Sequence, residues 1–591
     1  MYSERRLAGL ALALLMAMSL LHPSEVRAGG FTIPLIGGRA STKLAFVAKP
    51  DDTSAAYHNP AGLSLLGPYQ IDISGTGILS KSAYSRCSAT GPGGLGCATD
   101  GSGNILYEPT VRSTKHGALP AGFGVLPYMG MSGRFGLKRW NFGLAVYSPH
   151  NATGSFPDCK RDANGAPTDC SGAPQRFHAT LGTINTIFIT PTVAFEPHPA
   201  ISIGLGVSAV RAAITLDRSL WVGGEDGSAG LFWDGEGRVR LQAATWSWAF
   251  NVGALWHVGK TFTKVRALRG LRLGFSYSHQ TKFQFKDKMS LFQPAIWATI
   301  AENDGCSRAP GSSTEDGHVQ CKANADFRFP MLVRFGLNWE LTREWDIGFD
   351  VFWQQYSVYK EINIEFPEPL ELVTGTTVGG TSEPKNSKDI WSFALGVQYA
   401  PRAVRGLEIR GGVIFDQSPY PTSTYTLLSP DADKIGWSLG VSYVFKFGLE
   451  IGGGYIMLRY FDRIIRDSKI VPKICEVGDT DCETSYPSAP FSMNGDVKNK
   501  IVHLFALHVG WRFGGGKPAL RKPFAVPPSP VEDPRAAPAR TQPVAPPPPP
   551  PRAEPPRRKS PAKATPRTTP PRRKGAAPGP AKVPPAANPR P

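Results

Sequence analysis

The chain lacks a second long hydrophobic run. One apolar stretch extends from Leu7 to Leu21, behind Arg5 and Arg6, and nothing after it offers eighteen consecutive apolar residues. A helix needs about 20 such residues to cross a bilayer. Only helices and closed β-barrels satisfy their backbone groups in lipid, so any membrane insertion after the first run must be as a barrel. Ending at Val26-Arg27-Ala28, the first run reads as a signal peptide over 1–28, with the mature chain starting at Gly29.

Clustered metal ligands are also missing. None of the eight cysteines has CxxC spacing, and His150, His178, His257, His279, His503 and His508 fall at no ligand interval. That excludes a zinc site and leaves no nucleophilic or acid–base constellation, so the expectation is a protein without metal, cofactor or catalysis. The cysteines instead form four local couples: Cys87 with Cys97, Cys159 with Cys170, Cys306 with Cys321, and Cys475 with Cys482. Each couple lies in a polar stretch between alternating segments, the pattern of disulfides bracing exposed loops in an oxidising compartment.

The main body carries little net charge. The whole chain is +18, but 517–591 holds sixteen Lys or Arg against three Asp or Glu, which is 16 − 3 = +13. The preceding residues keep only 18 − 13 = +5, so the basic balance gives no ground for nucleic-acid binding. The segment 517–591 has one aromatic, Phe524, and 26 prolines. It cannot build a core and reads as a disordered, partly polyproline extension on the periplasmic side, with a reach of at most about 230 Å at ~3.1 Å per residue.

The middle of the chain is rich in period-two alternation. Ile435, Trp437, Leu439, Val441, Tyr443 and Phe445 share one face, with Gly436, Ser438, Gly440 and Ser442 on the other. The same holds for Trp391–Tyr399, Trp345–Trp353 and Trp246–Trp256. Trp and Tyr gather at strand ends, and tight turns alternate with long loops. Those are the girdle and loop asymmetry of an outer-membrane barrel. One strand either side of each connection gives fourteen antiparallel strands from Tyr69 to Phe513, within a barrel region 67–516. The segment 29–66 ahead of them enters from the periplasmic end and could fold back into the lumen.

Three motifs now occur in order. The first is Gly38-Arg39-Ala40, then Asp51-Asp52, then Asn59-Pro60-Ala61. The second is Phe275-Ser276-Tyr277-Ser278 with Lys282 and Phe283. The third is Gly412 through Pro421, followed by Pro430-Asp431-Ala432-Asp433. Together they resemble the FadL-type outer-membrane transporters of long-chain fatty acids and other hydrophobic compounds, across about 29–513. The resemblance implies that 29–66 is a plug, gated around Asp51, Asp52, Asn59, Pro60 and Ala61. It also implies that outer loops catch a hydrophobic substrate, which passes a lumenal site and leaves through the wall into the membrane. The bridged loops and the Pro-rich tail depart from the family pattern.

Alternation places Phe188, Leu255, Leu332, Phe352 and Ile414 on the inward face, as candidate lining for such a substrate. It also turns Arg272, Arg328, Arg334, Arg410 and Arg512 inward, with Asp346, Asp350 and Glu408. Arg272, Arg334 and Arg410 are candidates to hold a carboxylate, against the plainer reading that lumenal acids and bases pair with one another. Two other classes compete with the transporter: a barrel that anchors a basic tail to peptidoglycan, and a general diffusion porin.

Overall fold

A computed structural model of the chain describes residues 35–88, 97–114, 123–161, 167–221, 236–292, 306–308, 318–371, 377–427, 431–469 and 494–514. The expected signal peptide, the tail 517–591 and the Cys475–Cys482 couple lie outside these residues. Fourteen antiparallel strands close on themselves: β1 (Tyr69–Lys81), β2 (Phe123–Gly133), β3 (Trp140–Tyr147, resuming as Ala152–Ser155), β4 (Leu181–His198), β5 (Ile201–Trp221) and β6 (Glu236–His257); then β7 (Leu271–Ser278, then Thr281–Phe292), β8 (His318–Phe329, then Leu332–Glu340), β9 (Trp345–Gln354, then Glu361–Glu371) and β10 (Thr377–Pro384, then Ile390–Tyr399); and finally β11 (Leu407–Asp416), β12 (Lys434–Val444), β13 (Leu449–Tyr460) and β14 (Ile501–Phe513). The seam pairs β1 with β14, from Tyr69 opposite Phe513 to Lys81 opposite Ile501. The even count and both ends on the short-turn side agree with the sequence reading.

The large apolar residues of the alternating segments point out. Ile435, Trp437, Leu439, Val441 and Tyr443 on β12 are exposed, while Lys434, Gly436, Ser438, Gly440 and Ser442 are buried. A soluble sandwich would reverse this, because it buries its apolar face. An apolar exterior around a polar interior is a barrel whose outer solvent is lipid.

The strands run further outward than the sequence suggested, and five of them break on the way. In β7 and β8 the breaks, at 279–280 and at Pro330-Met331, reset which parity faces in. Leu332 and Arg334 are inward below the β8 break, whereas Phe327 and Phe329 are inward above it. Arg328 therefore faces outward, contrary to the expectation from uninterrupted alternation. A one-residue slip turns every later side chain over.

Two expected loop bridges are present: Cys87–Cys97 with Cα atoms 5.3 Å apart, and Cys159–Cys170 at 4.2 Å. Cys321 is disulfide-bonded, and its backbone stands opposite Cys306. Beside the seam, Ala83–Arg86 and Val111–Arg112 of one loop join Arg463–Ile465 and Gly495–Val497 of another in a small four-stranded sheet.

A fourteen-stranded barrel is too wide for its own side chains to fill. The segment ahead of β1 fills it, with helices α1 (Gly38–Lys43) and α2 (Ala55–His58) and a 3-10 turn at Pro60–Leu65. It is held first by absence. Inward glycines stand opposite one another in adjacent strands: Gly204 and Gly253, Gly274 and Gly336, Gly396 and Gly412, Gly440 and Gly454. A Cβ on Gly253 would come within 2.0 Å of Asn59 Oδ1, one on Gly204 within 2.3 Å of the Ala61 nitrogen, and one on Gly274 within 2.5 Å of the Val47 carbonyl. The wall is hollowed where the backbone of the segment lies against it.

Charge holds it next. Buried Arg39 pairs with Asp51 at 2.9 Å, with Glu450 at 2.9 Å and with Glu408. Lys43 and Lys49 both reach Asp346 at 2.6 Å, and Asp350 Oδ2 accepts the backbone N–H groups of Phe46 and Val47.

Two titratable groups in the segment oppose each other. Burial and the nearby Asp72 carboxylate push Asp52 up to about 7. Burial pushes His58 down to about 3, its Nε2–H donating to the Ile36 carbonyl at 2.7 Å. The seated Asp52 holds a proton that the free one gives up, so its contribution is lost as pH rises from about 4 through about 7. Seated His58 refuses a proton that the free one takes, so its contribution grows from about pH 3 to about 6.5.

Between pH 4.5 and 6.5, relative to the wild type, Asp52→Asn should shift the pH dependence of seating towards strengthening as pH rises, and His58→Gln towards weakening, each by of order 1 kcal/mol per pH unit. Hydrogen exchange of 38–62 at several pH values reads all three slopes. Separately, Gly253→Val should leave a heat-modifiable barrel on gels but open 38–62 to protease. Loss of the folded band would instead make the segment part of barrel formation.

Candidate functional site

The residues selected from the sequence divide by position. Asn59 Nδ2 donates to the Val47 carbonyl at 3.0 Å and to the Ala254 carbonyl of β6 at 3.1 Å, while its Oδ1 accepts from the Ala61 N–H at 3.2 Å. Pro60 and Ala61 press on Gly204 of β5. Asn-Pro-Ala is thus the point where the inner segment is tied to β5 and β6. Asp51 pairs with Arg39 in the ionic network already described, whereas buried Asp52 accepts from the Ser54 N–H at 2.8 Å and from the Ser54 hydroxyl.

All five apolar candidates are buried on the inner face. Phe352 and Ile414 pack with Leu35, Leu44 and Val47 of the inner segment, so they fill space beneath it. Leu255 is buried two residues beyond Gly253. Phe188 and Leu332 line a cavity.

The arginines divide more sharply. Arg272 donates to Glu340 at 2.8 Å. Arg410 reaches Glu408 at 2.5 Å and Glu450 at 3.3 Å, and Arg512 reaches Glu450 at 3.0 Å. These pair within the lumen, as the plainer reading held. Arg334 does not. It is 1 % exposed, it has no carboxylate partner among the described residues, and its Nη2 has no hydrogen-bond partner. Nη1 donates to Ser278 Oγ at 3.0 Å, and the guanidinium lies 4.6 Å from the Tyr57 ring centre.

Arg334 lines the cavity that also meets Phe188 and Leu332, a space of ≈ 40 Å³ walled by Tyr57, Tyr147, Pro149, His150, Phe329 and Pro330, with Gln354 nearby. Its outward side continues into one apolar cluster: Phe283, Phe285, Phe327 and Phe329, then Met289 and Phe366 towards the loops. Its floor is Tyr57 on α2, which stacks edge-on to Tyr147. The arrangement is an apolar path from the loop end of the barrel to a cavity with one unsatisfied cation, closed below by the inner segment.

The wall beside this cavity is incomplete. β2 and β3 pair only from Tyr128 opposite Tyr147 to Gly133 opposite Phe142, whereas β2 stays paired with β1 up to Phe123. At Ser148 the third strand turns off and is fastened to β4. There Ser148 Oγ donates to the Thr186 carbonyl, and Asn151 Oδ1 accepts the Thr186 N–H at 2.8 Å. Further out, the Thr114 N–H donates to the Ser155 carbonyl at 2.9 Å. Among the described residues no backbone pairing joins β2 to β3 outward of Tyr128. Pro127 borders the last pair on β2, and Pro149 lies just beyond it on β3. Neither has an N–H to offer a neighbouring strand.

Sequence reasoning missed Tyr57, Tyr147, His150 and Phe329. It also missed the gap, whose only signal was two prolines inside otherwise regular strands.

The family described as outer membrane protein transport protein (OMPP1/FadL/TodX) matches residues 23–471. A putative outer membrane protein of Neisseria meningitidis is 22% identical over 441 residues, covering 73% of this chain and 85% of that one. A long-chain fatty acid transport protein of Salmonella typhi is 22% identical over 289 residues, which is 46% of this chain and 59% of that one. Among solved structures, a Pseudomonas aeruginosa FadL homologue aligns with a TM-score of 0.60 at 18% identity, covering 82% of this chain and all of that one. The Ralstonia pickettii toluene transporter TbuX aligns with a TM-score of 0.50 at 16% identity, covering 82% of this chain and 99% of that one. With the closed fourteen-stranded barrel and the family match over most of its length, the chain belongs to the OMPP1/FadL/TodX family of outer membrane transport proteins.

Proposed function

We propose that this barrel carries long-chain fatty acids, taking the carboxylate on Arg334 and the hydrocarbon on the aromatic wall beside it. One observation carries the choice of an acid over a plain hydrocarbon. Arg334 is a buried cation with no carboxylate at ion-pair distance among the described residues, inside a mostly apolar cavity. An unpaired buried charge is expensive, and a hydrocarbon offers it nothing. A carboxylate satisfies the open Nη2 and neutralises the charge, in a bond of the stronger, charge-assisted kind. Arg39, Arg272, Arg410 and Arg512 already hold carboxylates of the protein.

The route follows from the same residues. A hydrocarbon chain gains by leaving water for the Phe283–Phe329 cluster, and again at each apolar contact inward. The cavity of ≈ 40 Å³ is far below the roughly 300–1,000 Å³ of an occupied ligand site. Full entry therefore requires Tyr57 to move, and with it α2. Shifting α2 loads the Asn59-Pro60-Ala61 tie against β5 and β6. The unbonded edge between β2 and β3 abuts the cavity at Tyr147 and Pro149, and it offers an exit into the membrane that avoids the aqueous lumen.

Purified protein in liposomes should bind and pass oleate, and Arg334→Leu should weaken oleate binding about tenfold or more. A charge-assisted hydrogen bond is worth about 1.5–3 kcal/mol, and each decade of affinity is about 1.4 kcal/mol. Arg334→Lys should recover part of the loss. Toluene passage should be the same in all three proteins. If oleate binding survives the leucine substitution, or toluene passage falls with it, the carboxylate reading is wrong.

A further inference from the structure

The phase shift that turns Arg328 outward assembles a surface that uninterrupted alternation does not foresee. On the lipid face of β5–β8, Arg211, Lys282 and Arg328 are all exposed. Lys282 stands directly opposite Arg328, and Arg211 directly opposite Trp246. The Ser247 hydroxyl donates to the Lys282 carbonyl at 2.5 Å, which sets Lys282 beside Trp246 and Trp248. These two indoles are 60% and 72% exposed. The cations and indoles thus lie side by side across four neighbouring strands, about 14 Å at the usual ~4.8 Å strand spacing.

Their height is defined by β5. Ile201, opposite Trp256, marks the inner edge, and Ile203, Leu205 and Val207 follow outward on the lipid face. Arg211 is ten residues above Ile201. At ~3.4 Å per residue and a tilt near ~40° that is about 26 Å, the full height of the roughly 25 Å apolar band. The patch therefore lies at the outer boundary of the hydrocarbon.

Two like charges directly opposite each other repel. Among the described residues none of the three cations is ion-paired, although other exposed cations nearby, such as Lys322 with Glu368, are. The nearest carboxylate in register, Asp326, faces Gln284 and leaves the patch net positive.

We infer that this patch binds a phosphorylated lipid of the outer leaflet, its phosphates on Arg211 and on the Lys282–Arg328 pair, its acyl chains along the apolar face below. Charge and height select the occupant. The cations face lipid at headgroup level, where an aqueous anion or a soluble protein would not be concentrated, and the exposed indoles suit the amphipathic interface. A multiply phosphorylated lipid also spans the separation between Arg211 and the other two cations better than one phosphate does.

The test uses the full chain in neutral detergent, with thermal unfolding followed as bisphosphorylated lipid A is added. It should raise the melting temperature of the wild type. In Arg211→Gln/Lys282→Gln/Arg328→Gln the shift should fall at least fivefold, while the variant still runs as a folded, heat-modifiable barrel. Arg211→Lys/Arg328→Lys, which keeps the charges, should retain most of the shift. Native mass spectrometry should show lipid retained on the wild type and lost from the glutamine variant. An equal shift in the glutamine variant, from dephosphorylated lipid A, or from inorganic phosphate alone would overturn the assignment.

Discussion

Everything in this molecule follows from the need to satisfy backbone hydrogen bonds without water. A sheet in lipid cannot leave an edge open, so β1 must find β14. Closure at fourteen strands sets a diameter, and that diameter is larger than inward side chains can fill. The interior must then be occupied by chain, and the wall must be shaped to receive it. Glycines facing glycines, and lumenal carboxylates facing Arg39, Lys43 and Lys49, are the two halves of that fit.

The lumen therefore contains two kinds of polar residue. Most of its charges are mutually engaged and wedge the inner segment in place. Removing one partner of such a pair leaves the other buried and uncompensated, which makes the set brittle against single changes although each pair adds little net stability. Arg334 belongs to the other kind. Its neighbours are a hydroxyl and an aromatic face, which soften its burial without cancelling its charge.

Much of the architecture was legible in the sequence because period-two alternation reports directly on which solvent each face meets. Strand number, the two ends at Tyr69 and Phe513, and the inward positions of Phe188, Leu255, Leu332, Phe352 and Ile414 all follow from it, while the bridges Cys87–Cys97 and Cys159–Cys170 follow from cysteines coupled within single loops. The method fails where the period is interrupted. At 279–280 and at Pro330-Met331 the phase resets, and Arg328 lands on the opposite face. Pairing is equally invisible to it: Arg272, Arg334 and Arg410 share a parity, and only three-dimensional neighbours separate the unpaired one from the two that hold Glu340 and Glu408. The missing bonds between β2 and β3 depend on where two strands part company, a property of neither strand alone.

The ionic contacts of Arg39 also constrain timing. Its partner Glu450 lies 411 residues further along the chain, and Glu408 lies 369 residues away. A chain made from its N-terminus carries Arg39 with only Asp51 to pair with, and Lys43 and Lys49 without Asp346, for most of its synthesis. Arg39 can be locked to the wall only after β11–β13 have formed, although the glycines of β5–β8 and the carboxylates of β9 are made earlier. The last ties between wall and interior are thus made late, and a barrel missing its final third lacks both wall carboxylates that hold Arg39.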